Sequence, residues 1–159
     1  MNRPGLRGVL IGGLVAATLD IVYAFIMSAQ AGRSPVRVLQ SVASGLLGPG
    51  AFEGGLPAAA VGLLAHFAIL IVAAALYFVA STRFAWLRER AVQSGLLFGV
   101  GVYLVMNFVV LPLSAVPFKL TYSPWTLAQG FVSHALLVGL PIALAIRHFS
   151  AAARRDVAR

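Results

Sequence analysis

The sequence contains no cysteine and very few charged residues. The absence of cysteine among its 159 residues excludes disulfide bonds, thiolate catalysis and zinc or iron–sulfur sites held by cysteine. Only 10% of the residues are charged and 60% are hydrophobic, whereas a typical soluble domain has about 25% charged residues. This composition cannot form a water-soluble surface. It predicts an all-α integral membrane protein with a single domain.

The motifs of common enzyme classes are also missing. The sequence has no Gly-x-Ser-x-Gly elbow, no His-Glu-x-x-His motif, no P-loop and no dinucleotide-binding glycine fingerprint. Its 12 basic residues lie at the ends of apolar runs and form no stripe with interleaved aromatic residues. That distribution is typical of topology signals and of contacts with anionic lipid headgroups. We therefore expect membrane lipids as partners, no nucleic acid and no enzymatic activity.

Four apolar runs are long enough to cross a bilayer, which takes about 20 helical residues. We predict a bundle of four spans at about residues 8–28, 58–80, 92–116 and 127–146. Ser34-Pro35 is a typical helix start and predicts a short interfacial or re-entrant helix over residues 35–47, between the first two spans. The residues predicted on the polar side of this short helix are Arg37, Gln40, Ser41 and Ser44.

The first run has a second interpretation. Ala29-Gln30-Ala31 resembles a signal-peptidase site, so residues 8–28 would then be a cleaved secretion signal. The apolar segment of such a signal is usually about 7–15 residues long and carries no acid. The run is longer than that and contains Asp20. These two features favour a retained span.

The basic residues predict the orientation of the spans. With the N-terminus inside, the segments on the inner side hold nine of the 12 basic residues, namely Arg3, Arg7, Arg83, Arg88, Arg90, Arg147, Arg154, Arg155 and Arg159. The segments on the outer side hold Arg33, Arg37 and Lys119. Because basic residues concentrate in cytoplasmic loops, both termini are predicted to be cytoplasmic.

Each predicted span carries one strongly polar residue, and the four lie at a similar depth. At 1.5 Å per helical residue, Asp20 and Asn107 lie about 18–21 Å from the inner ends of their spans. His66 and His134 lie about 10–12 Å from the outer ends of theirs, and the hydrocarbon core is about 30 Å thick. Polar groups at this depth need partners or water. The residues predicted to surround this polar layer are Tyr23, Tyr103, Ser133 and Glu53.

Several roles for the polar layer stay open. It can join helices as interhelical hydrogen-bonding glue, or it can pass protons or ions. It can also fix the headgroup of a small amphiphile such as a lipid or a quinone. A fourth role is a haem or metal site, with His66 and His134 as ligands and Asp20 as a third. No cofactor is predicted, and the identity of a metal is unknown.

Small residues recur every fourth position along the first span, at Gly8, Gly12, Ala16, Asp20, Ala24 and Ser28. Such a stripe lets another helix approach closely. One interpretation is that it brings the polar residues together inside the bundle. The other is that it docks a structural or accessory subunit onto a second copy or another membrane protein.

The first and third runs share a pattern that predicts an internal repeat. Gly8, Gly12 and Asp20 have the same spacing as Gly95, Gly99 and Asn107, and each run is followed by a Ser-Pro pair. Two related helical hairpins would explain this similarity. Chance matching between glycine-rich helices is the alternative.

The segments SPVRVLQSVASGLLGPGAFEGG, GLLAHFAI and NFVVLPLS resemble those of small bacterial membrane proteins with no assigned activity. The resemblance covers most of the chain. It implies a four-helix protein of the bacterial inner membrane. It assigns a function to no residue.

Overall fold

A computed structural model describes residues 3–118 and 123–157, and every regular element in these ranges is helical. Four helices are long and apolar enough to cross a membrane, and we call them spans 1 to 4: Arg3–Gln30, Gly55–Arg83, Ala91–Leu113 and Pro124–Ala151. The predicted all-α architecture of four spans is therefore confirmed. Lys119 and Arg159, which entered the charge count, lie outside the described residues.

The predicted short helix is present over Pro35–Leu47, and we call it the connecting helix. Ser34 caps its start, because its Oγ accepts the backbone N–H of Arg37 at 3.2 Å. A 3-10 turn over Gly48–Phe52 then leads to span 2. The Arg37 guanidinium donates to the carbonyl of Phe52 at 3.3 Å and lies 4.1 Å from the centre of its ring. These contacts tie the start of the connecting helix to the turn that follows it.

The buried side of the connecting helix differs from the prediction. Gln40 and Ser44, predicted on the polar side, are 5% and 0% exposed, whereas Leu46 is 68% exposed. The Gln40 amide donates to the carbonyl of Gly55 at 3.1 Å, so its burial leaves no donor unpaired. Exposing the leucine side chain to lipid costs little free energy, since lipid is as apolar as a protein core. Polarity alone therefore placed Gln40 and Ser44 on the wrong side, whereas Arg37 is exposed as predicted.

The spans form a bundle in which span 1 packs against spans 2 and 4, and span 4 also packs against span 3. The buried core runs between them and consists of small and medium-sized apolar residues, among them Ala16, Ala17, Ala74, Val138, Ile142 and Ala143. Because successive spans are antiparallel, the start of span 1 and the end of span 4 lie at one end of the bundle, which we call the terminal end. The connecting helix lies at the other end.

Glycines let spans 1 and 3 approach span 4 at backbone distance. A methyl group at Gly12 would press on the backbone of Ile142. A methyl group at Gly99 would collide with the carbonyl group of His134, and one at Gly139 would collide with Gly99. The small-residue stripe of span 1 is thus packed inside the bundle.

Spans 3 and 4 each contain a π-helical segment, Met106–Val110 and His134–Gly139. Both segments lie just before a proline, Pro112 in span 3 and Pro141 in span 4. A proline has no N–H and its ring clashes with the carbonyl four residues earlier. The wider π turn accommodates that carbonyl without ending the helix.

The two Ser-Pro pairs have the same local role. Ser123 begins span 4 as Ser34 begins the connecting helix, and its Oγ accepts the backbone N–H of Thr126 at 3.1 Å. One pair starts a short helix and the other starts a span, so the two halves of the chain differ in length here. The two-hairpin repeat stays a prediction.

Tyr77 joins spans 2 and 3 near the terminal end. Its Oη donates to the carbonyl of Leu87 at 2.7 Å and lies 2.7 Å from Oγ of Ser94. Its ring meets the ring of Phe98 edge to face, with 5.0 Å between centroids. Further from the terminal end, a cavity separates the described parts of these two spans.

Candidate functional site

The cavity between spans 2 and 3 has a volume of about 620 Å³. Its walls are mostly apolar and include Leu46, Ile69, Leu70, Val102, Met106 and Val110. The polar residues that line it include one from each span: Asp20, His66, Asn107 and His134. The four residues that the sequence places at one depth therefore surround one space.

Asp20 contributes a carboxylate to this cavity from the middle of span 1. Its side chain is 17% exposed. Among the described residues, no group donates a hydrogen bond to the carboxylate. The basic atom within reach is Nε2 of His66, 4.0 Å from Oδ2. That separation is too long for a hydrogen bond.

His66 is held by span 1 through a backbone carbonyl. Its Nε2 lies 3.0 Å from the oxygen of Ala17. A carbonyl oxygen can only accept, so Nε2 carries the proton and Nδ1 retains a lone pair in the neutral ring. The imidazole of His66 is nearly buried, with 9% of its side chain exposed.

His134 has the opposite tautomer and is fixed within its own helix. Its Nδ1 lies 3.0 Å from the carbonyl oxygen of Gly130, so Nδ1 carries the proton and Nε2 retains the lone pair. The ring of Tyr103 meets the imidazole edge to face, with 5.1 Å between centroids. Gly130 makes room for this tyrosine, because a methyl group there would collide with the Tyr103 ring.

Asn107 lies in the π segment of span 3, as His134 lies at the start of the π segment of span 4. The Asn107 amide donates to the carbonyl of Tyr103 at 2.9 Å. Single π turns are frequent at functional sites. Two of the four polar residues thus lie where the helix is locally widened.

Of the four predicted surrounding residues, one lines the cavity and a second contacts His134 from a neighbouring groove. Tyr103 lines the cavity, and Ser133 lies beside His134, with 3.3 Å between Oγ and Nδ1. Tyr23 and Glu53 lie elsewhere, which corrects the prediction. Tyr23 faces a separate groove next to Trp125, because three helical residues turn it about 60° from Asp20. Glu53 is exposed at the end of the 3-10 turn.

Two serines at the cavity were missed in the sequence. Ser41 lines it from the connecting helix and Ser114 from the end of span 3. Nearby, the backbone N–H of Ala115 donates to the carbonyl of Gly45 at 3.0 Å and joins these two elements. The spacing of Ser41 and Gly45 marks one face of the connecting helix, but only the packing shows which neighbour that face meets.

A metal centre at the cavity would need suitable side chains placed close together. Within residues 3–118 and 123–151, no group of three histidine, cysteine, aspartate or glutamate side chains is placed to hold a metal ion. Each cavity histidine uses one ring nitrogen to donate to a backbone carbonyl and keeps a lone pair on the other, which is also the usual state of a histidine metal ligand. The absence of a three-ligand group among these residues gives the metal interpretation little support, and a haem held by the two histidines stays a prediction.

Comparison with known proteins found no matching family model, no matching curated protein and no matching solved structure. The functional inference therefore rests on the cavity itself.

Proposed function

We propose that the protein binds a small amphiphilic molecule inside the membrane, with the headgroup at the polar layer and the apolar part between spans 2 and 3. The observation that supports this most strongly is the convergence of one polar side chain from each span on an otherwise apolar cavity of about 620 Å³. Small-molecule sites are typically apolar pockets of about 300–1,000 Å³ with a few convergent polar groups.

The proposed location is the bacterial inner membrane, with both termini in the cytoplasm. The excess of basic residues on the terminal side supports this orientation. The exposed aromatic residues Phe84 and Trp86, in the turn between spans 2 and 3, are typical of a membrane interface. The choice of the bacterial inner membrane rests on the resemblance expected from the sequence alone. The cavity would then lie in the half of the bilayer away from the cytoplasm.

A proton or ion relay has less support. Such a relay needs polar groups that continue across the membrane. Between the polar layer and the contact of Tyr77 with Ser94, the described core is filled by buried apolar residues such as Ala74, Val138 and Ile142. This packing closes the cavity at one end and favours a binding site.

Interhelical glue explains only part of the polar layer. The bond from His66 to Ala17 crosses from span 2 to span 1. The bond from His134 to Gly130 remains within one helix and joins no spans. Asp20 accepts no hydrogen bond from the described residues. A ligand headgroup that contacts these side chains would explain why all of them line one cavity.

Docking through glycine-rich faces also has little support. Gly8, Gly12 and Gly13 face other spans of the same bundle, and so do Gly95 and Gly99. These surfaces are already occupied within one chain. The alternative of a structural or accessory subunit therefore draws no support from the glycine stripe.

The proposal is tested by filling the cavity. We would measure thermal unfolding of the protein in lipid nanodiscs with four ten-carbon probes: decylamine, decyltrimethylammonium, decanol and methyl decanoate. We expect at least one probe to stabilise the protein in a saturable manner. Ala65→Phe, which places a ring in the cavity, should abolish that shift.

Ala60→Phe is the matched control, because Ala60 lies on the same span, is exposed and does not line the cavity. It should keep the full shift. The proposal fails if no probe stabilises the wild type, or if Ala65→Phe responds as the wild type does.

A further inference from the structure

We propose that the cavity selects amphiphiles whose headgroup donates hydrogen bonds, and a protonated amine above all. This inference rests on the proposed binding function and specifies its ligand class. The hydrogen-bonding atoms that the polar layer presents to a bound molecule determine which headgroup fits.

The two histidines each offer an acceptor. Their N–H groups are already used, by the carbonyls of Ala17 and Gly130, which leaves Nδ1 of His66 and Nε2 of His134 with a lone pair. No nitrogen or oxygen of a described side chain is both enclosed and without a partner. Because neither nitrogen has a partner, neither is enclosed, and both belong to residues that line the cavity.

Asp20 adds a third acceptor and a negative charge. An ionised carboxylate can only accept hydrogen bonds, and this one receives none from the described residues. The described residues that line the cavity include no lysine or arginine to balance its charge. In a membrane interior such a charge is costly unless a partner neutralises it.

The headgroup that matches three acceptors and one negative charge is a primary ammonium. It has three N–H donors and one positive charge. A carboxylate or phosphate head would be repelled by Asp20. A quinone or ester head offers only acceptors and would leave the acceptors of Asp20, His66 and His134 unpaired.

The four ten-carbon probes separate charge from donor capacity. Decylamine has both, decyltrimethylammonium has the charge alone, decanol has a neutral donor, and methyl decanoate has neither. We expect decylamine to bind about tenfold or more tightly than decyltrimethylammonium, and decanol more tightly than methyl decanoate. Asp20→Asn should reduce the preference for decylamine over decanol about tenfold, while the preference for decanol over methyl decanoate persists.

The ¹⁵N chemical shifts of the ring nitrogens provide a second measurement. They would not change on addition of a probe if the two histidines had a purely structural role. In protein labelled with ¹⁵N at histidine, decylamine should shift the unprotonated nitrogens of His66 and His134 and leave their protonated nitrogens in place. Replacing the exposed His148 with glutamine would leave these two histidines alone in the spectrum.

The outcomes distinguish the two proposals. If no probe binds, the proposed function itself fails. If the probes bind saturably but decyltrimethylammonium or methyl decanoate equals decylamine, the binding function stands and the donor preference is wrong. The preference is equally overturned if decylamine binds without shifting either unprotonated nitrogen.

Discussion

Nε2 of His66 lies 4.0 Å from Oδ2 of Asp20, but its hydrogen bond goes to the carbonyl oxygen of Ala17, 3.0 Å away. The two ionisable side chains are therefore neighbours without forming a hydrogen-bonded pair. A carboxylate in the middle of a spanning helix, without donors, reduces the stability of the bundle. Proteins tolerate such losses where the group serves a function.

The first prediction follows from this unpaired carboxylate. Asp20→Asn removes the charge at almost constant shape, and we expect it to raise the free energy of unfolding of the ligand-free protein by about 1–2 kcal/mol. The measurement is reversible unfolding in mixed micelles. Glu89→Gln, which neutralises an exposed acid in the turn between spans 2 and 3, should change the stability by less than about 0.5 kcal/mol. A clear loss of stability in Asp20→Asn would instead show that the Asp20 carboxylate stabilises the bundle.

The second prediction concerns the backbone contact between spans 3 and 4. Gly99→Ala would push a methyl group into the carbonyl group of His134, and we expect a loss of about 1–3 kcal/mol in the free energy of unfolding. Gly101→Ala is the matched control, because nothing lies within 4 Å of a methyl group there. Equal unfolding midpoints for the two variants would show that the contact is not close.

The sequence predicts those features of the fold that depend on length and hydropathy. Residues 58–80 were predicted for span 2 and the helix covers Gly55–Arg83, because hydropathy marks the apolar centre and not the turns beyond it. The common depth of Asp20 and His66 could be predicted by counting residues from the ends of their spans, since helical rise is nearly constant. That both side chains line one cavity could not be predicted without knowing how the spans pack.

The features that the sequence could not predict depend on contacts between distant segments. Gln40 is buried because the carbonyl of Gly55 lies within its reach, which no local pattern encodes. Tyr23 is predicted to surround the polar layer, but it lines a separate groove whose other described residues belong to span 4. The π turn at His134 depends on two features that lie apart in the sequence. One is the downstream proline in span 4, and the other is the close approach of Gly99 from span 3.

The third prediction concerns the contact that joins spans 2 and 3 near the terminal end. Tyr77→Phe keeps the ring contact with Phe98 but removes the hydroxyl that bonds Leu87 and Ser94. We expect the free energy of unfolding to fall by about 1–2 kcal/mol, and amide hydrogen exchange to increase at residues 86–94. Tyr23→Phe removes a hydroxyl that bonds no described group and should leave both measurements unchanged. Unchanged exchange in Tyr77→Phe would mean that its hydroxyl does not hold spans 2 and 3 together.

The last prediction concerns the proposed orientation, and the absence of cysteine from the chain makes it simple to test. Ala31→Cys and Ala85→Cys place single thiols at exposed positions, the first after span 1 and the second between spans 2 and 3. If the basic residues mark the cytoplasmic side, a membrane-impermeant maleimide added to intact spheroplasts should label the thiol at position 31 and not the one at position 85. Lysis before labelling is the control and should make both thiols reactive. The reverse pattern in intact spheroplasts would place the termini outside and move the cavity to the cytoplasmic half of the membrane, so that its guest would enter from the other leaflet.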